Sequence, residues 1–196
     1  MTAALVLAAG SASRFGGQKL VAPYRGAPLV RRVVENALDS GADRVLVVVG
    51  HEADAVEETL AGLAVETVRN PEYREGMASS IRAGIRALAE GCEEVLVVLG
   101  DQPEVDAGLM DRVLEADPGG GVAVVAPVYR EGQGNPVLFR ASVFPELLVL
   151  RGDRGARSVV ERDPARVRRV TVERPMPRDV DTAADLRRLA EEAGPG

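Results

Sequence analysis

The stretch LVLAAGSASRFGGQKL, Leu5 to Leu20, governs the reading of this chain. An apolar run of strand character passes without a break into a Gly- and Ser-rich loop that carries Arg14 and Lys19. Such a loop suits phosphate, yet two familiar phosphate loops do not fit it. The P-loop needs a Gly-Lys pair followed by a hydroxyl, whereas Gln18 precedes Lys19 here and Leu20 follows it. The dinucleotide fingerprint G-x-G-x-x-G runs straight into a helix, whereas Ala12 takes its second Gly position and helical patterning begins only near Pro28. What remains is A-A-G-x-x-x-R-x-G-x-x-K, which has its own physics. Small residues at Ala8, Ala9 and Gly10 let a ligand approach the backbone. Loop amides can form an anion nest, and Arg14 and Lys19 add fixed charge against a polyphosphate.

Outward from this stretch, short apolar runs alternate with amphipathic ones. Ala4–Ala8, Arg44–Gly50, Val65–Val68, Glu94–Gly100 and Val122–Pro127 read as strands. Four of these five are nearly continuous in Val, Leu and Ala, as strands covered on both faces are. Helical spacing marks Pro28–Asp39, Asp54–Gly62 and Met77–Glu90. Beyond Pro127, Asn135–Phe139 and Arg166–Glu173 read as strands. Ser142–Leu150, Ala156–Arg162 and Asp181–Gly194 read as helices, the last with Thr182 as N-cap. The β-α-β-α order predicts a single-domain, Rossmann-like three-layer α/β/α fold with a mostly parallel sheet.

The 196 residues include 46 % hydrophobic and 28 % charged residues, as in a soluble globular protein. With three Tyr, three Phe and no Trp, the core must be built from Val, Leu and Ala. Twenty-four Lys and Arg stand against 30 Asp and Glu; the net charge of −6 argues against a nucleic-acid partner. The single Cys92 excludes an internal disulfide and a cysteine metal cluster, and it reads as a small apolar residue. The lone His51 makes a histidine-based centre hard to build and is expected in a loop near the site. No basic stretch precedes the first strand, and no apolar run is long enough to cross a bilayer, so the expectation is a cytoplasmic protein without a membrane partner.

Further blocks follow the loop in order: RNPEYREGMASSIRAG (Arg69–Gly84), VLVVLGDQP (Val95–Pro103), GQGNPVLF (Gly132–Phe139), GDRGAR (Gly152–Arg157) and DVDTAADL (Asp179–Leu186). Together with Leu7–Ala8–Ala9–Gly10 they resemble the nucleotidyltransferases that move NMP from an NTP to a phosphorylated acceptor. Among these the chain looks most like the molybdenum cofactor cytidylyltransferases (MobA/MocA-like), since the guanylyl branch tends to read L-A-G-G. It departs from that pattern at Ala183 and Ala184, where the family has Pro and Glu; the acidic residues are untouched.

The resemblance implies CTP as donor, a molybdopterin-type cofactor as acceptor and Mg²⁺ as metal. A molybdoenzyme or its chaperone is the implied protein partner. It assigns residues 1–127 to a nucleotide-binding half, 128–193 to an acceptor-binding half that completes the sheet, and 194–196 to a frayed tail. Arg14 and Lys19 are the catalytic cations. Leu7, Ala8, Ala9, Gly10, Asn70, Gly76, Ser79 and Ser80 are expected at the nucleotide, where hydroxyls and amides at a helix start suit ribose or base edges.

A strand order of 3-2-1-4 would put Asp101 opposite the Gly10 loop at the sheet's switch point. Asp101 and Asp181 are the expected metal ligands, with Asp179 the alternative to Asp181. Asn135, Pro136, Asp153 and Arg157 fall on the acceptor side. The competing readings are another phosphorylated acceptor or GTP as donor, oxidoreduction of a small heterocycle, and a non-catalytic cofactor binder.

Overall fold

The computed structural model describes residues 1–11, 15–88, 91–153 and 155–192. Its first half runs β1 (Thr2–Ala8), β2 (Pro23–Tyr24), β3 (Ala27–Pro28), α1 (Leu29–Leu38), β4 (Arg44–Val49), α2 (Ala53–Thr59), β5 (Glu66–Arg69), α3 (Met77–Leu88) and β6 (Glu94–Leu99). The second half continues α4 (Ala107–Leu114), β7 (Val124–Tyr129), β8 (Gly132–Gln133), β9 (Val137–Arg140), α5 (Phe144–Leu148), α6 (Arg157–Arg162), β10 (Val167–Thr171) and α7 (Ala183–Glu192).

The main sheet has the order β10-β7-β9-β6-β1-β4-β5, with β8 attached to β7. β1 pairs in parallel with β4 on one side and β6 on the other. The expected 3-2-1-4 order is thus realised as β5-β4-β1-β6. β9 is antiparallel to both β6 and β7, which inserts the second half of the chain into the sheet of the first. The molecule is a single-domain α/β fold.

Period-two alternation explains why β1 is apolar from Ala3 to Ala8. Leu5 and Leu7 point to a core with Ile81, Ile85, Val97 and Phe139. Ala4, Val6 and Ala8 point to a second core with Val30, Val34, Val98 and Met110. Helix α3 lies close on the first face: a Cβ at Gly84 would stand 2.4 Å from Leu5 Cδ1.

A third, smaller cluster joins Tyr24 and Leu29 to Val180, Leu186 and Leu189. It brings the C-terminal segment back over the first half and so decides where Asp179 and Asp181 lie. Thr182 caps α7 as expected: its Oγ1 accepts from Asp185 N at 3.2 Å, and Asp185 Oδ2 accepts from Thr182 N at 2.9 Å.

Three features depart from the sequence reading. α4 had no clear signal, because Gly108 interrupts a short helix whose start depends on Asp106 accepting from Leu109 N at 2.8 Å. The β2–β3 hairpin and β8 are two-residue strands, too short for periodicity. The helix expected over Ser142–Leu150 is split into a 3₁₀ turn, Ala141–Val143, and α5, because Pro145 cannot donate and tolerates only the first helical turn. The expected tail at 194–196 lies outside the described residues. Among the described residues, no helix is long and apolar enough to cross a membrane.

Candidate active site

β1 has its two neighbours on opposite sides, so the C-terminal ends of β1 and β6 border the switch point where open α/β sheets hold ligands. A crevice of about 490 Å³ opens there, walled by Leu7 of β1, by Ala9, Gly10 and Ser11 from the loop after it, and by Lys19 and Asp101 across it. The strand ends are tied together: Gly100 N donates to Leu7 O at 2.9 Å and His51 N to Ala9 O at 3.2 Å. Among the described residues, a Cβ at Gly10 would meet no atom within 4 Å.

Lys19 starts a 3₁₀ turn, Lys19–Val21, anchored by buried Leu20. Its Nζ donates to Asp101 Oδ2 at 2.6 Å. The side chains are only 11 % and 22 % exposed, so the pair attracts more strongly than a surface bridge would. Lys19 is the chain's only lysine, beside 23 arginines. The partner expected beside it, Arg14, lies outside the described residues, as does Arg154.

Asp101 stands on the G-D-Q-P turn, closed by Gln102 N donating to Leu99 O at 3.2 Å. The buried Gln102 reaches sideways: its Nε2 donates to Asp179 Oδ1 at 2.8 Å and to Pro177 O at 3.4 Å. Val180 N donates to Asp101 O at 3.1 Å while its side chain is fully buried, so Asp179 and Asp181 flank a pinned residue. Both carboxylates border the crevice. Solvent reaches the outer edge of Asp179. The protein packed around it and then the charge of Asp101 nevertheless push its carboxyl above the ordinary range; Gln102 and Lys19 oppose this, and Asp181 adds to it.

These hard oxygen donors fit Mg²⁺ or Mn²⁺. Among the described residues no three His, Cys, Asp or Glu side chains come together closely enough to hold a cation alone. One or two carboxylates completed by phosphate oxygens and water is the usual arrangement for Mg²⁺.

The helix-start residues divide. Gly76 and Ser80 border the crevice. Asn70 and Ser79 do not, against expectation: they are 3 % and 1 % exposed, and their polar atoms face each other. Asn70 Nδ2 donates to Ser79 Oγ at 2.8 Å and to Ser80 Oγ at 3.1 Å, and Ser79 Oγ donates to Gly76 O at 2.8 Å. They shape the turn into α3 instead of lining the crevice. Ala8 likewise faces the opposite core, because a strand turns alternate side chains away. Gly76 has φ +96°, and a Cβ there would stand 2.3 Å from Asp153 Oδ1. The Gly152–Asp153 turn is thereby locked onto α3, with Ala78 N donating to Gly152 O at 3.1 Å.

A second cavity of about 260 Å³ adjoins the first through shared Met77, Leu99, Asp153 and Asp179. Its floor is apolar, with Ile81, Val137, Phe139 and Val160. Asn135, Asp153 and Arg157 border it. Pro136 is buried and is not part of the wall. Arg157 does not reach inward: its Nε donates to Glu161 at 2.7 Å and its side chain is 74 % exposed.

The sequence reading missed Gln102, Tyr73 and Arg74. All three sit inside its quoted blocks, but only folding shows that Tyr73 and Arg74 border the crevice and that Gln102 grips Asp179. The Arg74 guanidinium lies over the Tyr73 ring, 5.3 Å from its centroid, and His51 is tilted against the same ring at 5.8 Å. His51 is thus beside the site, as expected. Cys92 is buried, and burial pushes its thiol up.

A family model described as the MobA-like NTP transferase domain matches residues 4–168. Nicotine blue oxidoreductase of Paenarthrobacter nicotinovorans is 31 % identical over 193 residues, covering 94 % of each chain. The bifunctional protein GlmU of Agrobacterium fabrum is 35 % identical over 127 residues, which are 62 % of this chain and 28 % of that protein. The chain therefore corresponds to little more than a quarter of that relative's length. Among solved structures, Rv0371c of Mycobacterium tuberculosis in complex with manganese superimposes with TM-score 0.83 at 30 % identity, covering 97 % of this chain and 98 % of that one. A nucleotidyl transferase from Methanothermobacter superimposes with TM-score 0.83 at 26 % identity over 98 % of this chain and 97 % of that one.

Proposed function

The chain belongs to the MobA-like NTP transferase family, and from that premise we propose that it moves CMP from CTP to the terminal phosphate of a molybdopterin-type cofactor. Support comes chiefly from one observation: a polar crevice bearing Gly10 and Lys19 adjoins an apolar cavity, and Asp179 borders both. Two substrates of different character can lie side by side there. A flat heterocycle suits the floor of Phe139, Val137 and Ile81 better than a polyhydroxylated sugar does. The choice of CTP rests on Leu7–Ala8–Ala9–Gly10.

In the proposed reaction an acceptor phosphate oxygen attacks the α-phosphorus in line. The bond from that phosphorus to the bridging oxygen breaks, and pyrophosphate leaves with the electron pair. The acceptor is already an anion, so no protein nucleophile is required. The backbone of Ala9–Gly10 lies against the nucleotide, and Lys19, with Arg14 from the same loop, meets the charge gathering on the departing phosphates. Gln102 and Val180 keep Asp179 and Asp181 beside Asp101. A divalent cation held by Asp101 and Asp181 would supply charge neutralisation to the phosphates. Asn135 and Asp153 border the acceptor, which would be handed on to a molybdoenzyme or its chaperone in the cytoplasm.

The nicotine blue oxidoreductase relative, similar along nearly its whole length, supports a second reading as an oxidoreductase of a planar heterocycle. The loop lacks a dinucleotide fingerprint, which weighs against it. Pyrophosphate release and product mass, measured with CTP or GTP, Mg²⁺ and molybdenum cofactor, test the first reading. Thermal shift with NAD(P)H in place of CTP tests the second. Stabilisation by NAD(P)H alone, with no pyrophosphate formed, would overturn cytidylyl transfer.

A further inference from the structure

We infer that Lys19 is the exchangeable counter-ion of Asp101: its ammonium and a divalent cation compete for that carboxylate, and the nucleotide's phosphates release it by taking the ammonium over. This rests on the reading of Asp101 as a metal ligand and says how the two charged ligands of the site depend on each other.

The geometry carries the argument. Nζ lies 2.6 Å from Oδ2 in a pair largely screened from solvent. A Mg²⁺-sized ion on the same oxygen would sit within about 5 Å of the ammonium, and two cations that close repel strongly where water is scarce. The carboxylates facing them soften that conflict without removing it. Asp179, Asp181 and Asp153 border the crevice with Asp101, and Arg74 is the other cation on its wall among the described residues. Arg74 is turned onto the Tyr73 ring. A polyphosphate on the Gly10 loop adds the anion that draws the ammonium off Asp101 and lets a divalent ion hold that carboxylate fully.

The choice of residue fits an exchange. An arginine grips a carboxylate with a planar fork, as Arg44 grips Glu66 through Nε and Nη2, both at 2.5 Å. A lysine is a point charge on a flexible stem and can change partners by rotation. The chain uses arginine at 23 positions and lysine at this one alone. Lys19 N donates to Gly17 O at 3.1 Å and Leu20 is buried, so the backbone is anchored and the exchange needs movement of the stem alone.

The test measures Mn²⁺ binding without nucleotide, by the electron paramagnetic resonance of free Mn²⁺, on the intact protein and on K19M, K19Q, D101N and K19M/D101N. Circular dichroism checks the fold. K19M and K19Q are expected to bind Mn²⁺ about tenfold more tightly than the intact protein, since the competing cation is gone, while binding CTP more weakly. Unchanged or weaker Mn²⁺ binding in both would overturn the exchange.

D101N separates this from failure of the reading beneath it. If K19M/D101N keeps the tightened binding, Asp101 is not the metal ligand and the site assignment itself falls. If D101N abolishes binding and K19M does not tighten it, only the exchange falls. Because Lys19 is the sole lysine, amine acetylation followed by mass spectrometry gives a readout without substitution, with the Met1 amine as reference. Mn²⁺ should speed Lys19 acetylation severalfold by freeing the ammonium; a rate independent of saturating Mn²⁺ would overturn the exchange.

Discussion

Gln102 holds Asp179 from behind, donating through Nε2 to its Oδ1 at 2.8 Å while itself only 4 % exposed. Asp179, one of the carboxylates proposed to face the metal, is thus held by a neutral residue that is itself buried. Gln102→Leu should keep the fold and lower turnover about tenfold, as loss of a supporting hydrogen bond does. The divalent-ion concentration for half-maximal rate should rise. Pyrophosphate release over a Mg²⁺ titration measures both. A wild-type metal profile would show that Asp179 needs no clamp.

Lys19→Ala and Asp101→Ala should each reduce turnover on the order of 10²–10³-fold, the usual loss when a transition-state charge contact is removed. Thermal unfolding should change little, because the pair lies beyond the C-terminal ends of β1 and β6, outside both large cores. Lys19→Arg should fail to restore the rate despite keeping the charge, since a guanidinium fork has a different reach and shape. Single-turnover assays at saturating CTP would show it; near-full activity in either alanine variant would remove that residue from the mechanism.

Two glycines of the site should respond oppositely to the same change. Gly76→Ala introduces a Cβ 2.3 Å from Asp153 Oδ1 at φ +96°, which should destabilise by about 1–3 kcal/mol. Gly10→Ala meets nothing within 4 Å among the described residues and should leave stability unchanged. It should weaken CTP binding nonetheless, because the added methyl would stand in the path of the nucleotide in the proposed site. Urea unfolding beside calorimetric CTP titration separates the two effects; equal stability loss in both would refute the assignment.

Tyr129 supplies a pH prediction. Its hydroxyl donates to Asn135 O at 2.5 Å, and burial pushes its pKa up to about 12 from 10. The folded state thus holds the phenolic proton more tightly than the unfolded one. The stabilisation is fully present below pH 10 and is lost as pH rises from 10 towards 12. Tyr129→Phe should be less stable than the parent by about 1–2 kcal/mol at pH 8, through the carbonyl left unpaired. That gap should close above pH 10, read from urea midpoints at both pH values. A gap that widened with pH would contradict the sign.

Much of this protein was readable before folding. The all-apolar β1 implied a strand covered on both faces, and the two cores on either side of Leu5 and Val6 show that it is. The alternating order implied a parallel sheet, and a switch point between the first and fourth strands put Asp101 opposite Gly10. Period and connectivity carry that information locally. Side-chain direction at the site was less accessible. Asn70 and Ser79 have the chemistry of ligand contacts, yet their polar atoms are satisfied by each other and by Gly76 O. Which donor faces inward depends on how α3 docks, and residue type does not record that.

The sequence by itself determined the strand–loop chemistry of Leu5–Leu20, the layer order and the residues able to meet phosphate and cation, because these follow from short-range pattern. Only the tertiary structure decided which of them meet. Val180, buried with Leu186 and Leu189 against Tyr24, brings Asp179 and Asp181 back over Asp101 across nearly 80 residues of chain, and Lys19 reaches Asp101 across 82. Contacts so distant along the chain are set by the packing of whole elements, since the apolar area buried by docking α7 fixes the carboxylates' place.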